Sequence, residues 1–203
     1  LKLFWDDELI EVGIDEAGRG CLSGRVYVGA VILPKEIEGD MYKQIKDSKK
    51  LSRKKRHMLR TYIERIALSF CVAYAEPEEV DQLNILEATL QTMHKAIGGL
   101  SIEPEQILVD GDRFHMYVSK KGNFIPHELI KNGDNLYYSI AAASILAKVY
   151  HDEYVNELCE NDPELHEKYD WNNNMCYGTK SHMNGIKAYG ITKYHRRSFK
   201  PCR

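Results

Sequence analysis

No two of the five cysteines in this chain stand in a Cys-x-x-Cys pair. Cys21, Cys71, Cys159, Cys176 and Cys202 are odd in number and scattered, so neither a zinc site nor a disulfide framework is indicated. A reducing compartment, the cytoplasm, is the expectation. No apolar run approaches the ~20 residues that cross a bilayer, which excludes a membrane partner. The opening LKLFWDDELI carries acids inside its apolar stretch, unlike a secretory signal. Internal repeats and low-complexity tracts are also missing. What remains is 203 residues, 43% hydrophobic and 29% charged, enough for one domain or one domain with a small appendage.

A net charge of −2 conceals an uneven distribution. Residues 43–60 hold nine Lys/Arg against one acid, Asp47, and Lys187 to Arg203 hold six and no acid. Residues 152–170 are rich in Asp and Glu. Separate basic surfaces on a mildly acidic chain suit a polyanion gripped at defined places, although a solvated helix face explains residues 43–60 equally well.

Apolar periodicity predicts strands at Glu11–Asp15, Val26–Leu33, Ala67–Ala75 and Gln106–Asp110. It predicts helices at 53–66, capped by Ser52, at Leu83–Ile97, stopped by Gly98-Gly99, at Leu136–Cys159 and at Lys180–Tyr189. The Ala141-Ala142-Ala143 segment would let another element approach closely. Three strands followed by helix, strand and helix point to an α/β domain with a mixed sheet flanked by helices. The expected division is a sheet domain over 1–160 and a helical, irregular extension over 161–203, packed on it.

Four acids stand at element ends: Asp15 and Glu16 after the first strand, Asp110 closing Ile107-Leu108-Val109, and Asp134 before the long helix. Each has a plain explanation, as a helix cap for Asp134, an Asp-Gly turn for Asp110 and solvated strand-end charges for the other two. Adjacent strand residues face opposite ways, so Asp15 and Glu16 converge only if the chain turns there, which Gly18 and Gly20 permit. Gathered together, such carboxylates repel one another unless cations intervene, and all-oxygen ligation favours Mg²⁺ or Mn²⁺. Two such ions suit in-line attack on a phosphodiester. Other nucleases of the same architecture, and a non-catalytic nucleic-acid-binding subunit, stay open on these residues alone.

The blocks GIDEAGRG (13–20), DSKKLS (47–52), LVDG (108–111), GDNLYYSIAAASILAKV (133–149), YGTKSH (177–182) and HRRSF (195–199) occur in the order seen in type 2 ribonuclease H, and the chain resembles that family over nearly its whole length. The resemblance implies a ribonuclease H-like fold, with a mixed central sheet of about five strands. It implies a monomer that cleaves the RNA strand of RNA–DNA hybrids and incises duplex DNA 5′ of an embedded ribonucleotide. Two ions, Mg²⁺ or Mn²⁺, would leave 5′-phosphate and 3′-hydroxyl ends. The family's metal-binding acids fall on Asp15, Glu16, Asp110 and Asp134. Its glycine–arginine–glycine motif falls on Gly18, Arg19 and Gly20, where bare backbone can approach a ribose 2′-OH. Its junction tyrosine falls on Tyr177, and Lys49 and Lys50 are expected at phosphates. Lys148 receives no catalytic role, since a continuous helix places it roughly 21 Å from Asp134. His182, His195 and Arg196 are expected to make local hydrogen bonds and phosphate contacts. The chain departs from the family at Cys21, Arg25, Asn132, His151 and Cys176, and keeps every carboxylate.

Overall fold

Strand alternation sorts the core into two layers. In β1 (Glu11–Ala17), Val12 and Ile14 point to one face of the sheet, and Gly13 and Asp15 to the other. In β2 (Val26–Ile32), Val28, Ala30 and Ile32 share the first face, and Tyr27, Gly29 and Val31 the second. The computed structural model describes residues 1–203.

Ser52 caps α1 (Arg53–Ile66) by accepting from the Lys55 amide at 3.3 Å, as the sequence predicts. β3 (Ser69–Ala75) follows. Expectation and structure then part. The helix predicted over 83–97 is α3 (Ile85–Gly98), and it is preceded by a helix that periodicity did not reveal, α2 (Pro77–Leu83), the two being separated at Asn84 with φ +68°. The Asn84 side chain caps α3 through the Glu87 amide at 3.1 Å. After β4 (Gln106–Asp110) come three short strands that periodicity did not reveal: β5 (Tyr117–Val118), β6 (Phe124–Ile125) and β7 (His127–Ile130). The last elements are α4 (Tyr138–Asn161), α5 (Glu164–Tyr169), α6 (Trp171–Asn174) and α7 (Lys180–Tyr189).

The five-stranded sheet runs β3-β2-β1-β4-β7, with β5 and β6 forming a separate hairpin. β3, β2 and β1 are antiparallel neighbours, whereas β1, β4 and β7 are parallel. α3 covers one face through Leu90, Met93, Ala96 and Ile97. α1 and α4 cover the other.

α4 is apolar around nearly its whole circumference between Tyr138 and Ala147, the signature of a helix buried on all sides. It lies against the sheet where β1 and β2 carry no side chain. A Cβ on Gly13 would fall inside the backbone of Ser139 and Ile140, and one on Gly29 would overlap the Ala143 carbonyl. The close approach expected at the alanine segment is therefore real, and two glycines complete it. α5 to α7 pack on the outer half of α4 around the fully buried Trp171.

Candidate active site

β1 and β4 are parallel, with Ile14 opposite Val109. One residue further along each strand stand Asp15 and Asp110, both on the α4 face, at the carboxyl ends where parallel sheets place ligands. The chain leaving β7 passes through a short 3-10 turn, Gly133–Asn135, that carries Asp134. That turn is tied to β4, because the Gly133 amide donates to Asp110 Oδ1 at 2.7 Å. Three carboxylates distant in sequence thus bring oxygens within 4.8 Å of one another.

Glu16 does not join this close group. β1 continues to Ala17, so no turn separates Asp15 from Glu16, and strand alternation sends their side chains apart. Glu16 still lines the cleft beside Asp15, and Arg19 Nη1 donates to its Oε1 at 3.4 Å.

Burial, reinforced by Glu16 and Asp110, holds the Asp15 carboxyl well above the ordinary carboxylate range. Burial also raises Asp110, against the Gly133 amide and the Lys49 charge. Asp134 is raised by burial, Asp110 and Asp47, and Glu16 by burial against the pull of Arg19. The cluster is therefore short of positive charge. Oxygen donors, mutual repulsion and partial burial together fit hard divalent cations.

The adjoining cleft, about 410 Å³, is lined by Asp15, Glu16, Gly18, Arg19, Gly20, Ser48, Lys49, Ser144, Lys148 and Tyr177. Lys49 makes no ion pair, and its charge lies close enough to lower Glu16, Asp110 and Asp134. Lys50 points elsewhere. Its ammonium meets Asn135 Oδ1 and stands 3.8 Å from Asp47. Tyr177 is exposed at the far wall, beside Gly20. An isolated β-bridge between Cys21 and Tyr177 ties the two walls together.

Sequence reasoning passed over several residues here. Ser144 of α4 lines the cleft with Asp15 and meets Ser48 Oγ at 3.0 Å. Lys148, one helical turn further on, lines the cleft 5.5 Å from the Tyr177 ring centre and pairs with Asp152 at 2.7 Å. Its distance from Asp134 does keep it off the carboxylates, but the cleft runs along α4 and brings it in. The signal was the four-residue spacing of Ser144, Lys148 and Asp152 on one helix face. Asp47, the lone acid in a cationic run, accepts from the Lys49 amide at 2.9 Å.

The phosphate contacts expected of His182, His195 and Arg196 are excluded by burial, since all three are at most 1% exposed. The hydrogen bonding is as expected. His182 Nε2 lies 3.1 Å from His195 Nε2, and Trp171 Nε1 donates to His182 at 3.1 Å.

The departures are absorbed locally. Arg25 bonds Glu76 at 2.7 and 2.9 Å between the rings of Tyr74 and Tyr154, so it adds no free charge to the cleft. Cys176 and Asn132 take up left-handed backbone, with φ +65° and +55°.

Comparison with known proteins gives one consistent result. The family description "Ribonuclease HII" matches residues 12–202. The ribonuclease HII of Bacteroides thetaiotaomicron is 47% identical over 196 residues, 97% of this chain and 92% of that one. The crystal structure of ribonuclease H2 from Pyrococcus horikoshii superposes with a TM-score of 0.76 at 24% identity, covering 95% of each chain. Bst-RNase HIII in complex with Mn²⁺ superposes with a TM-score of 0.64 at 18% identity, over 96% of this chain and 68% of that one.

Proposed function

Because the chain belongs to the ribonuclease HII family, and is by that membership a ribonuclease H acting on RNA–DNA hybrids, we propose that it also incises duplex DNA 5′ of a single embedded ribonucleotide. The observation that carries this reading is the meeting of Asp15, Asp110 and Asp134 beside the Gly18-Arg19-Gly20 turn, whose Arg19 and Gly20 are exposed on the cleft. Asp15, Asp110 and Asp134 would hold two divalent ions, Mg²⁺ or Mn²⁺, with Glu16 completing the set from the cleft side. Such ions, when bound, lower the pKa of water and stabilise charge on the leaving 3′-oxygen.

The protein's own groups do the rest. The Glu16 amide, donating to Asp15 Oδ1 at 2.7 Å, orients the Asp15 carboxylate. The Gly133 amide fixes Asp110. Preset ligands need no rearrangement at the moment of reaction. Lys49 and Lys148 border the cleft as phosphate contacts, on either side of the turn. Backbone amides of the turn meet the 2′-OH, which distinguishes RNA from DNA. The Tyr177 ring packs against the deoxyribose that follows and disfavours a second hydroxyl there. The products are 5′-phosphate and 3′-hydroxyl ends. The five free thiols favour a reducing compartment, and we place the protein in the cytoplasm, acting as a monomer.

The test uses a labelled RNA–DNA hybrid with Mg²⁺, with Mn²⁺ and with chelator. Wild-type protein cuts only with a cation, and Asp15→Asn binds the hybrid but does not cut it. Wild-type rates in Asp15→Asn would end the assignment.

A further inference from the structure

Arg196 is fully buried and forms no ion pair. A guanidinium in that position is costly unless its N–H groups are all well used. Here three of them go to one loop. Nε donates to the Gly24 carbonyl at 3.0 Å, Nη1 to Arg19 at 3.1 Å and Nη2 to Gly18 at 2.8 Å.

Apart from the Arg196 fork, the second half of the loop is pinned by backbone: the Leu22 amide donates to Cys176 at 2.9 Å, the Gly24 amide to Tyr194 at 2.8 Å and the Arg196 amide to Leu22 at 2.9 Å. The loop's one internal backbone bond runs from the Cys21 amide to Gly18 at 3.2 Å. Gly18 and Gly24 sit at φ +83° and +77°, where glycine has many alternatives. All peptides are trans, and a trans peptide directs its C=O and its N–H to opposite sides. Carbonyls of Gly18 and Arg19 drawn inward to Arg196 therefore turn the amides of Arg19 and Gly20 outward. Both residues are exposed on the cleft, and neither amide donates within the protein.

We propose that Arg196 is a positioning residue for sugar discrimination: its planar fork locks two successive peptides so that the Arg19 and Gly20 amides stand ready for a ribose 2′-oxygen. This rests on the reading of Gly18-Arg19-Gly20 as the sugar-sensing turn. Planarity matters as much as charge, because an ammonium cannot span three carbonyls as a fixed fork does. Arg196 touches neither substrate nor carboxylates, so its effect passes entirely through the turn.

The experiment compares duplexes that carry one internal nucleotide with a 2′-hydroxyl or a 2′-fluoro group. Wild-type, Arg196→Lys and Arg196→Gln are measured with saturating Mn²⁺. Cys202→Ala serves as a control that loosens the same C-terminal segment and its Sγ contact with the Leu22 carbonyl at 3.7 Å, while leaving the three Arg196 bonds to the turn in place. Wild-type protein prefers the hydroxyl. Both Arg196 variants lose kcat on the hydroxyl substrate by about ten- to a hundredfold, with KM little changed and the slower 2′-fluoro rate retained, so the preference shrinks by the same factor. Cys202→Ala melts at a lower temperature and keeps the wild-type preference. Equal loss on both substrates, or an unchanged preference in both Arg196 variants, would overturn the proposal. A wild-type enzyme that does not distinguish the two sugars would instead show, before any variant is made, that the turn is not the sugar sensor.

Discussion

Asp15→Asn should make the cation-free protein more stable while abolishing its stabilisation by divalent ions. Two full charges no more than 4.8 Å apart repel by about 3.5 kcal/mol or more at an effective dielectric of 20. Part of this is avoided, because the cluster takes up a proton, as the raised Asp15 and Asp110 carboxyls indicate. Neutralising Asp15 should therefore yield roughly 1–2 kcal/mol, the scale of other stabilising changes at functional sites. An asparagine Oδ1 can still accept from the Glu16 amide, and its NH₂ can donate to Asp110. For about 200 residues each kcal/mol moves Tm by roughly 2–4 °C, so a rise of about 2–8 °C is expected in chelator.

The pH dependence has a definite sign. Folded carboxyls raised above their unfolded values hold protons that the unfolded chain has released, so stability falls as pH rises through that window. The gain from Asp15→Asn is then largest near neutrality and disappears below about pH 4, where both states are protonated. Divalent ions at 100 times their Kd would add about 2.7 kcal/mol to wild-type protein and little to the variant. Thermal melting with chelator and with MnCl₂ reads both effects. A variant that melts lower than wild type in chelator, or that gains equally from Mn²⁺, would refute the reasoning.

Other consequences follow from single contacts. Gly13→Ala should cost about 3 kcal/mol or more, since backbone on both sides must move; Gly39→Ala, with nothing near it, should cost only the roughly 1 kcal/mol of its φ of +74°. Urea denaturation distinguishes the two. Burial and His182 push His195 down to about 4, below its unfolded value. The unfolded chain thus protonates first, and up to about 3 kcal/mol present above pH 6.5 is lost as pH falls toward 4. His195→Gln should flatten that slope in urea midpoints taken between pH 7 and pH 4.5. Lys49→Ala should weaken hybrid binding at low salt and reduce the log–log salt slope by about one, with the Mn²⁺-induced Tm rise preserved.

Much of the site was legible because strand ends leave a local signature. Asp15 and Asp110 each close an apolar run, and Asp134 sits between a glycine and a long apolar helix. Glu16 was harder, because one more residue of strand turns its side chain away from the close group, to the cleft wall beside Arg19. β7 escaped notice because His127–Ile130 is too short to show alternation and follows Pro126 directly; its existence depends on pairing with β4. The break at Asn84 depends on a left-handed residue that an apolar repeat cannot register. The place of Lys148 on the cleft and the burial of Arg196 were not legible for a shared reason. Distance along a helix and motif membership say nothing about which way a cleft runs or which side of a loop faces the core, and both are settled only by packing.

The central claim is that a carboxylate-bound pair of cations and a sugar-sensing backbone act on the same phosphodiester. Its most direct test is a duplex with one internal ribonucleotide, incubated with Mg²⁺ or Mn²⁺, with the cut mapped to the nucleotide. A single incision on the 5′ side of the ribonucleotide, with 3′-hydroxyl and 5′-phosphate ends and none in the all-DNA duplex, is the predicted result. Cutting that ignores the ribonucleotide, or that persists in chelator, would contradict the account.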